Sequence, residues 1–203
     1  MIGRPPIAGI ILAGGRSSRM RADKALTPLA GRPLIAHVVE RLRPQVDFLV
    51  ISANGDAGRF AAFDAPVVAD ADPLAYAGPL AGVCAAMALA SSRGVELVAT
   101  APCDAPFLPA DLVARLLATL ERTGAPAAAA RRAGRIEPLF ALWRVAAQGS
   151  IDEALARGDA SPRALLIHCG AAFADFEEGA NPFDNFNDPA ALAAAEARLA
   201  ASG

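Results

Sequence analysis

The stretch from Ile7 to Lys24 reads Ile-Ala-Gly-Ile-Ile-Leu-Ala-Gly-Gly-Arg-Ser-Ser-Arg-Met-Arg-Ala-Asp-Lys. Its first part, Ile7 to Ile11, is an apolar run of strand length, which predicts a buried strand. The run ends in Gly14-Gly15, then Ser17 and Ser18, then the cations Arg16, Arg19, Arg21 and Lys24. Paired glycines let a backbone approach a ligand closely and turn its N–H groups inward. A ring of amide donors edged by cations suits a polyphosphate. Lys24 is the only lysine among the 203 residues. Its compact, mobile ammonium is suited to following a phosphate as charge builds there. The spacing matches neither G-x-x-x-x-G-K-[ST] nor G-x-G-x-x-G.

Outward from this stretch, strand and helix alternate. Leu34, Ile35, Val38, Val39 and Leu42 recur at helical spacing after Gly31-Arg32-Pro33, and Pro44 stops them. Asp47–Ser52 and Pro66–Ala69 read as strands, with a short helix over Gly58–Phe63 between them. Leu80–Ala90 reads as a helix, Glu96–Ala101 as a strand and Asp111–Arg122 as an amphipathic helix. Strands follow at Ala127–Ala130 and Pro138–Trp143, then helical patterns, a strand near Phe173 and a closing helix from Pro189. This order predicts one α/β domain over residues 1–203. It is a Rossmann-like three-layer fold with right-handed crossovers and a mostly parallel sheet covered by helices on both faces. Ligands of such sheets bind beyond the carboxyl ends of the strands. Every turn singled out here lies at such an end.

Bulk composition narrows the function. A formal net charge of −2 argues against a broad nucleic-acid or anionic-membrane surface. Three cysteines without C-x-x-C spacing (Cys84, Cys103 and Cys169) predict neither a disulfide framework nor a zinc site, and fit a reducing cytoplasm. No segment is long enough to span a membrane.

Two further clusters carry chemistry. Asp104 follows a strand in the proline-rich turn Pro102–Pro109, where a carboxylate held stiffly suits a hard cation. The alternative is an aspartate bonding its own turn. Cys103 beside it reads as a small buried hydrophobe, since no histidine pairs with it in sequence. The chain has four asparagines, and three of them fall between Asn181 and Asn187. Asp188 before Pro189 has the form of a helix N-cap. Arg131, Arg132 and Arg135 form either an anion-holding run or an exposed arginine hairpin. His37, His168 and Trp143 carry no catalytic signature, and Trp143 reads as core.

The string L-A-G-G-x-S-x-R-M-x-x-D-K (Leu12 to Lys24), followed by Pro28–Ile35 (PLAGRPLI), resembles the signature of nucleotidyltransferases that activate phosphates with a nucleoside triphosphate. It is most similar to the molybdenum cofactor guanylyltransferases. Relatives that use CTP usually read L-A-A-G, and Gly14 stands on the guanylyl side. The family usually has glycine where this chain has Arg21, which would stiffen the loop or add a phosphate contact. The resemblance extends to A-x-x-P-C-D-A-P-F-L around Asp104, to Tyr76–Gly82 (YAGPLAG) and to F-x-N-x-N-x-P around Asn185 and Asn187.

It implies transfer of GMP from GTP to the phosphate of molybdopterin, with pyrophosphate released. It implies Mg²⁺ on Asp104 and Asn187, and catalytic roles for Lys24, Arg19 and Asp104. It implies a nucleotide site of Leu12, Ala13, Gly14, Gly15, Lys24, Asn54, Asp70 and Asp104. Asp70 is then a candidate guanine reader, because a carboxylate accepts from both N1–H and the 2-amino group; a ribose contact is equally open. The partners implied are GTP, molybdopterin and, transiently, proteins that deliver or receive the cofactor. Rival expectations are CTP on the same pterin, another phosphate acceptor, or a GTP-binding module without turnover.

Overall fold

The structure is a computed structural model, and it describes residues 4–14, 24–70, 78–158, 161–177, 182–186 and 189–200. In chain order the strands are β1 (Ile7–Leu12), β2 (Pro28–Leu29), β3 (Arg32–Pro33), β4 (Phe48–Ser52), β5 (Val67–Val68), β6 (Leu97–Pro102), β7 (Ala127–Arg132), β8 (Arg135–Arg144) and β9 (Ala172–Asp175). The helices are α1 (Leu34–Leu42), α2 (Pro79–Ser92), α3 (Leu112–Thr123), α4 (Gln148–Ala156), α5 (Pro162–His168) and α6 (Pro189–Ala200).

All six residues of β1 are buried, as expected of a central strand covered on both faces. It pairs in parallel with β4 on one side and β6 on the other. The full order is β5-β4-β1-β6-β8-β7-β9. β8 is antiparallel to both β6 and β7, while β9 is parallel to β7. The sheet is therefore parallel apart from one reversed strand, in line with the expectation from sequence.

Two cores sit on the two faces. Ile7, Ile11 and Ile51 pack with Ile35 and Val38 of α1 and with Leu116 and Leu120 of α3. Ile10, Leu12 and Val50 pack with Leu80, Val83 and Met87 of α2, with Ile151 of α4 and with Leu166 of α5. Trp143 is buried in this second core. His37 is also buried, and its Nε2 lies 3.0 Å from the Leu29 carbonyl, a structural contact.

One expected element changes at its edges. The third strand shrinks to Val67–Val68, because it is an edge strand that pairs only with β4. The helix α1 starts at Leu34, with Pro33 just outside it as the N-cap residue. Ahead of it, β2 and β3 form a small hairpin that periodicity does not reveal. The hairpin turn is Ala30-Gly31, both at positive φ (48° and 75°), the geometry of a two-residue primed turn. Among the described residues, no helix is long and apolar enough to cross a membrane.

Candidate active site

The parallel strands bring the candidate residues to one edge of the sheet. β1 ends at Leu12, β4 at Ser52, β5 at Val68 and β6 at Pro102. The ladder continues just past these ends. Ala13 N–H donates to the Ser52 carbonyl at 2.8 Å, Ala53 N–H to Val68 at 2.9 Å, and Cys103 N–H to Leu12 at 3.1 Å. These bonds hold Gly14, Asn54, Asp70 and Asp104 side by side where the strands stop.

They also bear on Ala13, one of the nucleotide-site residues that the resemblance implies. The Ala13 amide is engaged by the sheet, so it does not belong to a set of amides turned toward phosphate. The first described amide beyond the ladder is that of exposed Gly14. A Cβ on Gly14 would lie 3.8 Å from the Ser52 carbonyl, an ordinary contact, so its described surroundings do not demand glycine. Gly15, Arg19, Arg21 and Asn187 lie outside the described residues.

Asp104 is 5% exposed, and the Lys24 ammonium forms an ion pair with its carboxylate. Eighty residues of chain separate the two, and only the fold joins them. Lys24 opens a single turn of 3-10 helix, Lys24–Leu26, whose Ala25 is buried. The anchored turn carries the lysine back toward the end of β6. Asp104 is anchored from the other side, since Phe186 N–H donates to its carbonyl at 3.3 Å. That bond brings Phe183–Phe186, the described part of the asparagine-rich loop, against the site.

Asn54 and Asp70 form a second unit. The Asn54 side-chain amide donates to Asp70 Oδ2 at 2.9 Å, and Asp70 N–H donates back to Asn54 Oδ1 at 3.0 Å. Two bonds of opposite sense set the direction of both side chains. Turn chemistry within each loop is therefore not their role; they bridge two loops. Arg59 reinforces the unit by donating to the Asn54 carbonyl at 2.7 Å while its guanidinium stacks 4.8 Å from the Phe60 ring centroid. Nothing in the sequence marks Arg59, because it acts through a backbone carbonyl.

Gly82, in the first turn of α2, touches the same unit. A Cβ there would collide with Ser52 Oγ and lie 3.6 Å from Asp70 Oδ1. The small residues of Gly78–Gly82 thus let α2 press against the ends of β4 and β5.

The basic run resolves as a hairpin. Arg131 is bonded to Asp175 through Nε at 2.6 Å and Nη2 at 2.7 Å. Arg132 and Arg135 face each other across the Ala133-Gly134 turn. Cys103 is buried, as its reading as a small hydrophobe requires.

The chemistry available at this edge is that of anion and cation binding. A buried carboxylate already paired with a cation is a site built for positive charge. Its oxygen donor suits a hard divalent ion that also takes phosphate oxygens and water. Among the described residues, no group of three or more His, Cys, Asp or Glu gathers as a closed metal cage.

Comparison with known proteins places the chain in a family. Residues 9–172 match the family described as MobA-like NTP transferase domain. A molybdenum cofactor guanylyltransferase of Cereibacter sphaeroides is 45% identical over 192 residues, covering 94% of this chain and 96% of its own. One from Burkholderia ambifaria is 47% identical over 170 residues, covering 79% and 81%. The fold is shared with molybdopterin-guanine dinucleotide biosynthesis protein A of Archaeoglobus fulgidus, with a TM-score of 0.78 at 23% identity over 96% of this chain and 99% of that one. With matches spanning most of its length, the chain is a nucleotidyltransferase and belongs to the MobA-like NTP transferase family.

Proposed function

We propose that this enzyme transfers GMP from GTP to the terminal phosphate of molybdopterin in the cytoplasm, releasing pyrophosphate, with Mg²⁺ as the metal. The observation that carries this reading is the Lys24–Asp104 pair set beside the Asn54–Asp70 unit on one sheet edge. It supplies a phosphate centre and, next to it, a carboxylate able to accept two N–H donors from guanine. The names of the relatives supply the acceptor.

In this reading an oxygen of the acceptor phosphate attacks the α-phosphorus of GTP. The new P–O bond forms as the bond to the β-phosphate oxygen breaks, and pyrophosphate carries away the charge. The attacking oxygen is already ionised at neutral pH, so no protein base is required. Asp104, with Asn187, would hold Mg²⁺, which when bound supplies charge neutralisation at the phosphates. Lys24 leaves Asp104 for the phosphates and stabilises the charge growing toward the β-phosphate, a role assigned also to Arg19. The amide of Gly14 gives a donor to the same oxygens. Asn54 holds Asp70 in place for the base. Catalysis is positioning plus electrostatics.

The deciding experiment is pyrophosphate release with each of the four triphosphates, with and without molybdopterin. Release only with GTP and pterin together is expected. Release with CTP instead makes the enzyme a cytidylyltransferase. GTP binding without release under any condition makes it a binding module.

A further inference from the structure

The strand order lays the candidate residues out in a row. Asp70 follows β5, Asn54 follows β4, Gly14 follows β1 and Asp104 follows β6; beyond β6 lies β8. Because β8 runs in the reverse direction, its beginning lies at this edge. Glu137 stands there, opposite Ala130 near the end of β7. The β7–β8 register jumps from Ala141 to Glu137, which breaks the alternation of β8; Ile136 packs into the core on the α2 side, and nearby Asp184 places Glu137 on the other face. That face is covered by the stretch tied to Asp104. The Phe183 ring centroid lies 4.7 Å from that of Phe140 on β8, and Phe186 N–H bonds the Asp104 carbonyl.

The Glu137 side chain is only 16% exposed, yet its closest cation among the described residues is Arg135 Nε at 3.7 Å, on a side chain 78% exposed. A pair of that length with an exposed partner stabilises little. Keeping a carboxylate from water with so few donors is costly. Burial raises its pKa, Arg135 and Arg132 oppose the rise, and nearby Asp184 adds to it. A carboxylate short of donors at a substrate edge is complementary to a ligand that brings them.

The row therefore has a carboxylate on each side of its phosphate centre. The two substrates of the proposed reaction match that symmetry, since guanine and a pterin present the same 2-amino-4-oxopyrimidine edge with adjacent N–H donors. We infer that Glu137 holds the acceptor by the amino-oxopyrimidine edge of its pterin, across the Lys24–Asp104 pair from the carboxylate that takes the same edge of guanine. The inference rests on the function proposed above.

The test uses two readouts, equilibrium binding of molybdopterin by its intrinsic fluorescence and pyrophosphate release with GTP. Glu137→Gln keeps the shape but sets an amide N–H where the ligand must donate. It is expected to weaken molybdopterin binding by about tenfold or more and to raise the acceptor KM in step. The KM for GTP and the melting temperature stay at their wild-type values, and Glu137→Asp restores part of the binding. Wild-type affinity for molybdopterin in Glu137→Gln overturns the inference, as does an equal loss of GTP affinity. If the wild type binds molybdopterin but releases no pyrophosphate, the transferase reading fails while the binding comparison still decides Glu137. If the wild type does not bind molybdopterin, both fall.

Discussion

Lys24 and Asp104 answer each other's charge across the sheet edge, and the proposed mechanism gives each a task at the phosphates. Lys24→Ala is expected to lower kcat by about a hundredfold or more, the size of effect of removing a preorganised donor to transition-state charge. Its circular dichroism should match wild type, because Lys24 is a third exposed and the core does not depend on it. Near-wild-type turnover would remove Lys24 from the mechanism. Asp70→Asn replaces an acceptor of two N–H groups by a side chain that also donates. The expected outcome is a loss of about tenfold or more in GTP affinity with ATP binding unchanged, measured by calorimetry. Equal losses for both nucleotides would assign Asp70 to the ribose. Composition marked Lys24 as the sole lysine, and the family-like motif after a strand marked Asp104. Their contact was not legible, because nothing in local sequence encodes a pairing across eighty residues.

At the scale of elements, the helix-sheet contacts decide which small residues are obligatory. Adding a methyl group at Gly82 drives α2 away from Ser52 and Asp70. Gly82→Ala should destabilise by about 1–3 kcal/mol, the usual cost of overpacking. Ser52→Ala in the same chain should recover part of it in urea unfolding, since the hydroxyl is the nearest obstacle. Additive losses in the double variant would refute the steric account. α2 also carries Cys84, which contacts Asp152 of α4 at 3.2 Å. Burial, then the Asp152 carboxylate, pushes the Cys84 thiol up to about 12. The thiolate is the reactive form, so Cys84 should resist alkylation in the native protein at pH 8 and react once unfolded, as peptide mapping would show. Helices and strands were largely legible from periodicity, because one face or both must be apolar. The β2–β3 hairpin and the shortened β5 were not. Two-residue strands are too brief to show a period, and they exist only because a neighbour pairs with them.

At the scale of the whole molecule, the two cores share one sheet, so neither can melt and leave the other intact. A single cooperative thermal transition is expected, as for a one-domain chain. GTP with Mg²⁺ at about a hundredfold its Kd should stabilise the fold by about 2.7 kcal/mol, read as a rise in melting temperature. Two separate transitions would contradict the one-domain expectation; no shift with GTP would contradict the nucleotide site. The same sheet explains why the site spans so much of the sequence. Strands parallel to β1 all deliver their following loops to one edge, and reversed β8 delivers its beginning there.

What the amino-acid sequence determined by itself was the longer helices and strands, the parallel character of most of the sheet and the loops on which chemistry sits. These follow from apolar period, glycine and proline placement and charge, all of which are local. Only the tertiary structure decided which of those loops meet. It paired Lys24 with Asp104, locked Asn54 to Asp70, gave the Ala13 amide to the sheet and turned the arginine run into a hairpin braced by Asp175. It also brought Glu137 to the substrate edge, a residue unremarkable in sequence. Strand order and direction are long-range choices, made by the packing of two faces at once, and no window of sequence contains both partners of such a choice.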